Sequence, residues 1–245
     1  MKRHSVVALA ALLILPQLAA AQSEDGLWGP HIRITPFVGI GPGFKQTGEA
    51  FVNSNNGFNV HDYEVRFASG FGMGVSGQFR FWNRFSVVGS GMWSSRGDGE
   101  LIDFEDEIRY EIDGTNFWMA KAGLAMSLRE VQPDLQLRRL NATVHIGPAL
   151  VHDRPKVEVF TPESAARNYT YKALNFGAEA EMPISNNKLG FVLGLEDYMI
   201  FWDDAKARGR VEGYMQAFDP SVTAVVESRR SQMWMFRAGL TWRFF

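Results

Sequence analysis

The chain has 245 residues, no cysteine, 24 glycines, 19 phenylalanines and 7 tryptophans, and a formal net charge of −2. The lack of thiols excludes a disulfide framework and any thiolate metal site, so stability has to come from hydrogen bonding and packing. The slight acidity argues against a nucleic-acid partner. The glycine and aromatic content suits strands with one bulky face and one crowded face.

The first residues carry Lys2, Arg3 and His4, then an apolar run from Val6 to Leu15, Pro16 and the small residues Ala19, Ala20 and Ala21. This is the layout of a secretory signal peptide with cleavage after Ala21. Residues 1–21 are therefore expected to be removed, leaving 22–245 as a single barrel domain. The apolar run falls short of the roughly 20 residues that a helix needs to span a bilayer. No cysteine follows the cleavage point, which excludes a lipoprotein signal. Beyond Ala21 no apolar run reaches helical spanning length, so membrane residence would require strands closed into a barrel.

In chain order, alternation of bulky apolar residues with small or charged ones marks strands at about Ile32 to Phe44, Phe67 to Phe81, Phe85 to Ser95 and Phe117 to Leu128. Four more follow at Leu140 to Leu150, Ala173 to Met182, Leu189 to Trp202 and Trp234 to Phe244. The second is the clearest: Phe67, Phe71, Met73, Val75, Phe79 and Phe81 alternate with Ala68, Gly70, Gly72, Gly74, Ser76, Gln78 and Arg80. A water-facing side would carry Lys, Glu and Thr, so small residues beside isolated charges indicate the crowded interior of a narrow barrel with its bulky face to lipid.

Connections at 82–84, 129–136 and 183–188 are short, whereas those at about 45–65, 96–114, 152–171 and 203–231 are long. Long extracellular loops opposed to short periplasmic turns characterise outer-membrane barrels. The pattern predicts an all-β, antiparallel, up-and-down transmembrane barrel of eight strands. Leu101 to Ile112 and Val222 to Val226 also alternate, which leaves open strands that rise above the membrane or a ten-stranded count.

The alternation places Arg33, Arg80, Lys121, Arg139, Arg237 and Arg243 inside with Glu179, Glu181 and Glu196. Charges there must be paired or hydrated, and the expected pairs are Glu196 with Arg237 and Arg139 with Glu181. A salt-bridged plug is favoured over a gated pore, because eight strands enclose just enough room for side chains. Gly72-Met73-Gly74-Val75-Ser76-Gly77 matches a dinucleotide fingerprint by letter, but it lies within a strand rather than between strand and helix. Arg96-Gly97-Asp98 matches an adhesion tripeptide, yet its glycines make it an ordinary turn.

Of the histidines, His61 and His152 are expected near the extracellular rim and His145 in the lumen. None has a serine at suggestive spacing, so no catalytic residue, cofactor site or metal site is assigned. Glu100, Asp103, Glu105, Asp106 and Glu107 make one long loop acidic. Lys206, Arg208, Arg210, Arg229 and Arg230 make another basic, where they would contact lipopolysaccharide phosphates. The acidic loop would share divalent cations or pack on the basic one.

With this architecture, and with the terminal segment Arg237-Ala238-Gly239-Leu240-Thr241-Trp242-Arg243-Phe244, the chain resembles the small eight-stranded outer-membrane barrels of the OmpA membrane domain and the OmpX/Ail type. The resemblance implies residence in the cell outer membrane as a monomer, with outer-membrane lipid and lipopolysaccharide as surroundings. It also implies delivery by the barrel-assembly machinery, for which Trp242, Phe244 and Phe245 would form the aromatic-ended signal. The role implied is structural or surface-interacting and non-catalytic. A lipid A-modifying enzyme and a narrow channel or carrier for small molecules are the alternatives on the same fold.

Overall fold

The computed structural model describes residues 31–54, 57–82, 84–105, 107–128, 141–156, 167–185, 188–216 and 220–244. The expected signal peptide, Arg139, Asp106 and Phe245 lie outside the described residues. The strands are β1 (His31–Gly41), β2 (Phe44–Ser54), β3 (Gly57–Phe67), β4 (Gly70–Trp82), β5 (Phe85–Arg96), β6 (Gly99–Asp103) and β7 (Ile108–Ile112). They continue with β8 (Thr115–Leu128), β9 (Asn141–Pro155), β10 (Tyr169–Ser185), β11 (Leu189–Phe201), the helix α1 (Asp204–Gln216), β12 (Thr223–Ser228) and β13 (Ser231–Phe244).

Eight of these strands close into an antiparallel barrel in the order β1-β13-β11-β10-β9-β8-β5-β4. Closure runs through β1, which pairs with β4 from His31↔Arg80 to Gly41↔Gly70 and with β13 from Ile32↔Phe244 to Ile40↔Phe236. Every barrel strand thus has two neighbours, and its backbone polar groups are satisfied without water. The outward positions are bulky and exposed, including Ile32, Val38 and Ile40 on β1, Phe71, Met73 and Phe79 on β4, and Trp234, Phe236, Leu240 and Trp242 on β13. Such a surface is stable only against hydrocarbon.

Glycines make the interior habitable. A Cβ on Gly194 would lie 2.7 Å from Arg237 Nε, one on Gly190 would lie 2.7 Å from Glu181 Oε1, and one on Gly74 would lie 2.7 Å from the ring of Phe37. The letter match at 72–77 is therefore strand interior, inside β4.

The long connections build a second layer. Segments expected as loops or as extra barrel strands instead form a five-stranded antiparallel sheet, β12-β2-β3-β6-β7, at the long-connection end. This cap contains the alternating runs of 101–112 and 222–226, and the barrel count stays at eight.

Two boundaries differ from the expectation for the same reason. Phe44 and Phe67 continue the barrel's alternation by letter, but the chain breaks at Pro42-Gly43 and Ala68-Ser69, and both phenylalanines belong to the cap, with rings stacked at 4.5 Å. Arg96, fully buried at the end of β5, holds both crossings by donating from Nη1 to the carbonyls of Pro42 (2.8 Å) and Ala68 (2.9 Å). With its guanidinium over the Phe44 ring at 4.9 Å, this arginine is core rather than a displayed adhesion residue.

The cap's inner face carries Ala50, Val52, Tyr63, Val65, Leu101, Tyr110, Ile112, Ala224 and Val226, all buried. Trp202, expected in the barrel wall, joins this core: it lies parallel to Phe67 at 6.2 Å and edge-on to Tyr171 at 4.6 Å. The helix α1 is preceded by Asp203, whose side chain accepts from the Lys206 backbone N–H at 3.3 Å as an N-cap. It buries Ala207, Arg210, Val211, Gly213 and Met215, a face of small, charged and apolar residues together.

Candidate functional site: lumen and extracellular cap

Alternation sends charges of β1, β8, β10, β11 and β13 into the lumen, and the closed register stacks them at successive heights. From the short-turn end upward they form an unbroken alternating chain, Arg243–Glu181–Arg33–Glu179–Arg237–Glu196–Lys121. Arg243 contacts Glu181 at 2.8 Å, Arg33 contacts Glu181 at 3.1 Å, and Arg237 Nη1 lies 2.9 Å from Glu196 Oε1. Arg33 and Arg237 both pair with Glu179, and Lys121 pairs with Glu196.

Around the upper end, Lys121 Nζ lies 2.6 Å from His145 Nε2 and donates to Asn175 Oδ1 at 3.1 Å, while Asn175 Nδ2 donates to Glu196 at 2.9 Å. Each carboxylate touches at least two cations, which is how buried charges repay part of their desolvation. Arg80, also inside, donates to Ser127 at 2.8 Å.

Sequence reasoning assigned Glu196 to Arg237, and the two are in contact. It assigned Glu181 to Arg139, whereas Glu181 is held by Arg33 and Arg243, and Arg139 lies outside the described residues. Both arginines were expected inside, but their pairing with Glu181 depends on β1 and β13 closing the barrel beside β11 and β10.

Above this network the interior changes character. Phe37, Met92, Met119, Ala149, Val151, Met233 and Met235 are buried there, and the cap core begins directly over them.

The basic set expected to meet lipopolysaccharide is divided by the fold. Arg210 is a correction: it points inward from α1, over Phe67 at 5.4 Å, and pairs with the fully buried Asp153 at 2.5 Å, so it is not offered to a ligand. Burial lowers its pKa and the Asp153 carboxylate more than reverses that, leaving it above the usual guanidinium value. Arg208 is bound to Glu212 at 2.6 Å one helical turn on, Lys206 lies 3.3 Å from Asp203, and Arg229 lies 3.3 Å from Glu49. Arg230 alone of the five has no carboxylate partner among the described residues, and it stacks over Phe201 at 5.1 Å.

The strands of the acidic loop, β6 and β7, lie at the opposite edge of the cap sheet from β12, and among the described residues Lys206, Arg208, Arg210 and Arg229 pair with carboxylates from outside that loop. Asp103 is buried and bound to His61 Nδ1 at 2.8 Å, and Glu100 faces Arg66 at 3.7 Å.

His61 thus belongs to the cap's inner face, where Tyr63, two residues on, has its pKa pushed up to about 12 by burial. His152 faces outward on β9, 2.9 Å from Thr170 Oγ1. His145 lies in the lumen. Trp242 and Phe244 both face outward at the short-turn end. Among the described residues no group of three or more His, Cys, Asp or Glu is arranged to hold a metal ion.

No protein-family profile and no curated relative matches the sequence. Solved structures do match. OprG of Pseudomonas aeruginosa, an outer membrane protein, superposes with a TM-score of 0.56 at 8% identity, over 88% of this chain and 96% of that one. Neisserial surface protein A gives 0.45 at 11% identity over 88% and 99%, and Ail of Yersinia pestis gives 0.36 at 15% identity over 86% and 98%. With the apolar wall and the closed eight-stranded register, the OprG superposition places the chain in the fold of the small outer-membrane barrels.

Proposed function

We propose that the protein is a non-catalytic, monomeric outer-membrane barrel whose cap serves as its surface-interaction unit. What supports this reading is the occupied lumen: a seven-residue charge chain is followed by methionines and aromatics that merge with the cap core. An eight-stranded interior is about as wide as such side chains require. The side chains that fill the mouth come from cap and barrel alike, so the cap is a built structure and not a set of solvated loops. The barrel-assembly machinery and outer-membrane lipid are its expected partners.

The test is twofold. Reconstituted in planar bilayers, the protein is expected to show no stable conductance above background. Its overexpression is expected to leave the host lipid A mass spectrum unchanged, with or without His61→Ala and His152→Ala. A new lipid A species lost with either substitution would replace this reading by the enzyme alternative, and a steady conductance would replace it by the channel.

A further inference from the structure

On the outer wall at the β10–β11–β13 seam, chemistry departs from the apolar rule. Asp197 occupies an outward position of β11, in the series of Phe191, Leu193, Leu195 and Met199, while its neighbours Glu196 and Tyr198 point inward and are buried. Its cross-strand partners are Phe176 and Trp234, both outward, and its exposure is 8%. Asp197 Oδ1 is buried and receives no hydrogen bond among the described residues. A carboxyl group left without a donor in an apolar wall is costly unless a ligand supplies one.

Directly above, a groove of about 520 Å³ is lined by Met199, Trp234, Gln232, Arg230 and Lys45 among others. Trp234 is the cross-strand partner of Asp197 and Met199 is the next outward residue on its strand, so the groove descends toward the carboxyl. At its top the register sets Lys172 on β10 opposite Phe201, and Arg230, just before β13, lies over that ring at 5.1 Å. Neither cation has a carboxylate partner among the described residues. Asp197 is four residues below Phe201, about 13 Å along a strand that rises ~3.3 Å per residue.

We propose that this seam binds lipid A, with a sugar phosphate held between Lys172 and Arg230 and an acyl chain lying along Met199 and Trp234. Asp197 accepts the hydrogen bond of a chain hydroxyl near the sugar end. Phosphate recognition by paired cations is common to many anionic lipids. The hydroxyl requirement selects the hydroxyacylated glycolipid over a phospholipid, whose chains carry no donor. This inference rests on the outer-membrane reading and names the lipid that the barrel wall recognises.

The test uses the mature chain refolded into phosphatidylcholine nanodiscs doped with either diphosphoryl lipid A or phosphatidylglycerol at matched charge. Lipid retained on the protein is counted by native mass spectrometry. The wild type is expected to retain lipid A about tenfold over phosphatidylglycerol, roughly the value of one charge-assisted hydrogen bond. Lys172→Ala with Arg230→Ala should lower the retention of both lipids several-fold, because both present a phosphate. Asp197→Leu should lose the preference for lipid A and yet raise the unfolding midpoint in phosphatidylcholine alone, because it removes an unpaired carboxyl from the wall.

Equal retention of the two lipids by the wild type, unchanged retention in the Lys172→Ala, Arg230→Ala variant, or an unchanged preference in Asp197→Leu overturns the site while leaving the barrel reading intact. Failure to fold in every bilayer overturns the outer-membrane reading and the site with it.

Discussion

The membrane barrel and the extracellular cap are built from the same antiparallel, period-two strands and use that period in opposite senses. In the barrel the bulky residues of β4 and β13 face outward and the charges face in. In the cap Phe44, Val52, Tyr63, Val65 and Val226 face inward onto one another, and Glu49, Asp62 and Glu227 face water beside the exposed Phe58, Val60 and Val225. The difference is set by what lies outside each sheet, hydrocarbon in one case and water in the other. Phe67 and Phe71 show it within four residues of one alternating run: the first is 5% exposed in the cap core and the second is 53% exposed on the barrel wall.

If the two regions are stabilised by different physics, removing a lumen charge should cost most. Glu196→Ala strips Lys121 and Arg237 of a shared carboxylate and is expected to destabilise the barrel by about 3–5 kcal/mol in chemical unfolding from lipid vesicles. Adding Arg237→Ala should return part of that loss. Strict additivity in this double-mutant cycle would mean that the 2.9 Å contact contributes no coupling.

The next test sets the two phenylalanines against each other. Phe67→Ala leaves a cavity between Phe44, Phe117 and Trp202 and should cost about 3–4 kcal/mol. Phe71→Ala exchanges lipid contacts for other lipid contacts and should cost less than about half as much. Equal losses on the same unfolding assay would erase the distinction between cap core and barrel wall.

The smallest effect on the folded state is expected at the C-terminus. Deleting Phe244 and Phe245 removes the outward Phe244 from the end of β13 and should shift stability by less than about 1 kcal/mol. It should still reduce the heat-modifiable folded form in cells several-fold, because the loss falls on assembly. Unchanged folded levels on a mildly denaturing gel would remove the assembly role.

Much of the barrel was legible because lipid imposes a rule at every strand: each second residue must be apolar, and the remainder share a narrow space. The eight barrel strands, the inward charges and the short turns follow from that rule alone. The cap was not legible as a unit. Its inner-face pattern is the same in letters as a strand of the wall, so Phe44 and Phe67 read as continuations. Only the crossings at Pro42-Gly43 and Ala68-Ser69, pinned by Arg96, separate the layers. Likewise α1 buries Ala207, Arg210 and Val211 with Gly209 and Gly213 nearby, a face too small and too charged to stand out as an amphipathic helix.

The sequence by itself determined a closed, lipid-facing barrel with charged contents, since alternation and the hydrogen-bonding demands of a membrane are local properties that each strand displays alone. The tertiary structure alone decided which charges meet, placing Arg33 and Arg243 on Glu181, turning Arg210 from the surface to Asp153, and leaving Asp197 in the wall. Those pairings depend on closure and register between segments as far apart as β1 and β13, and no single strand carries that information.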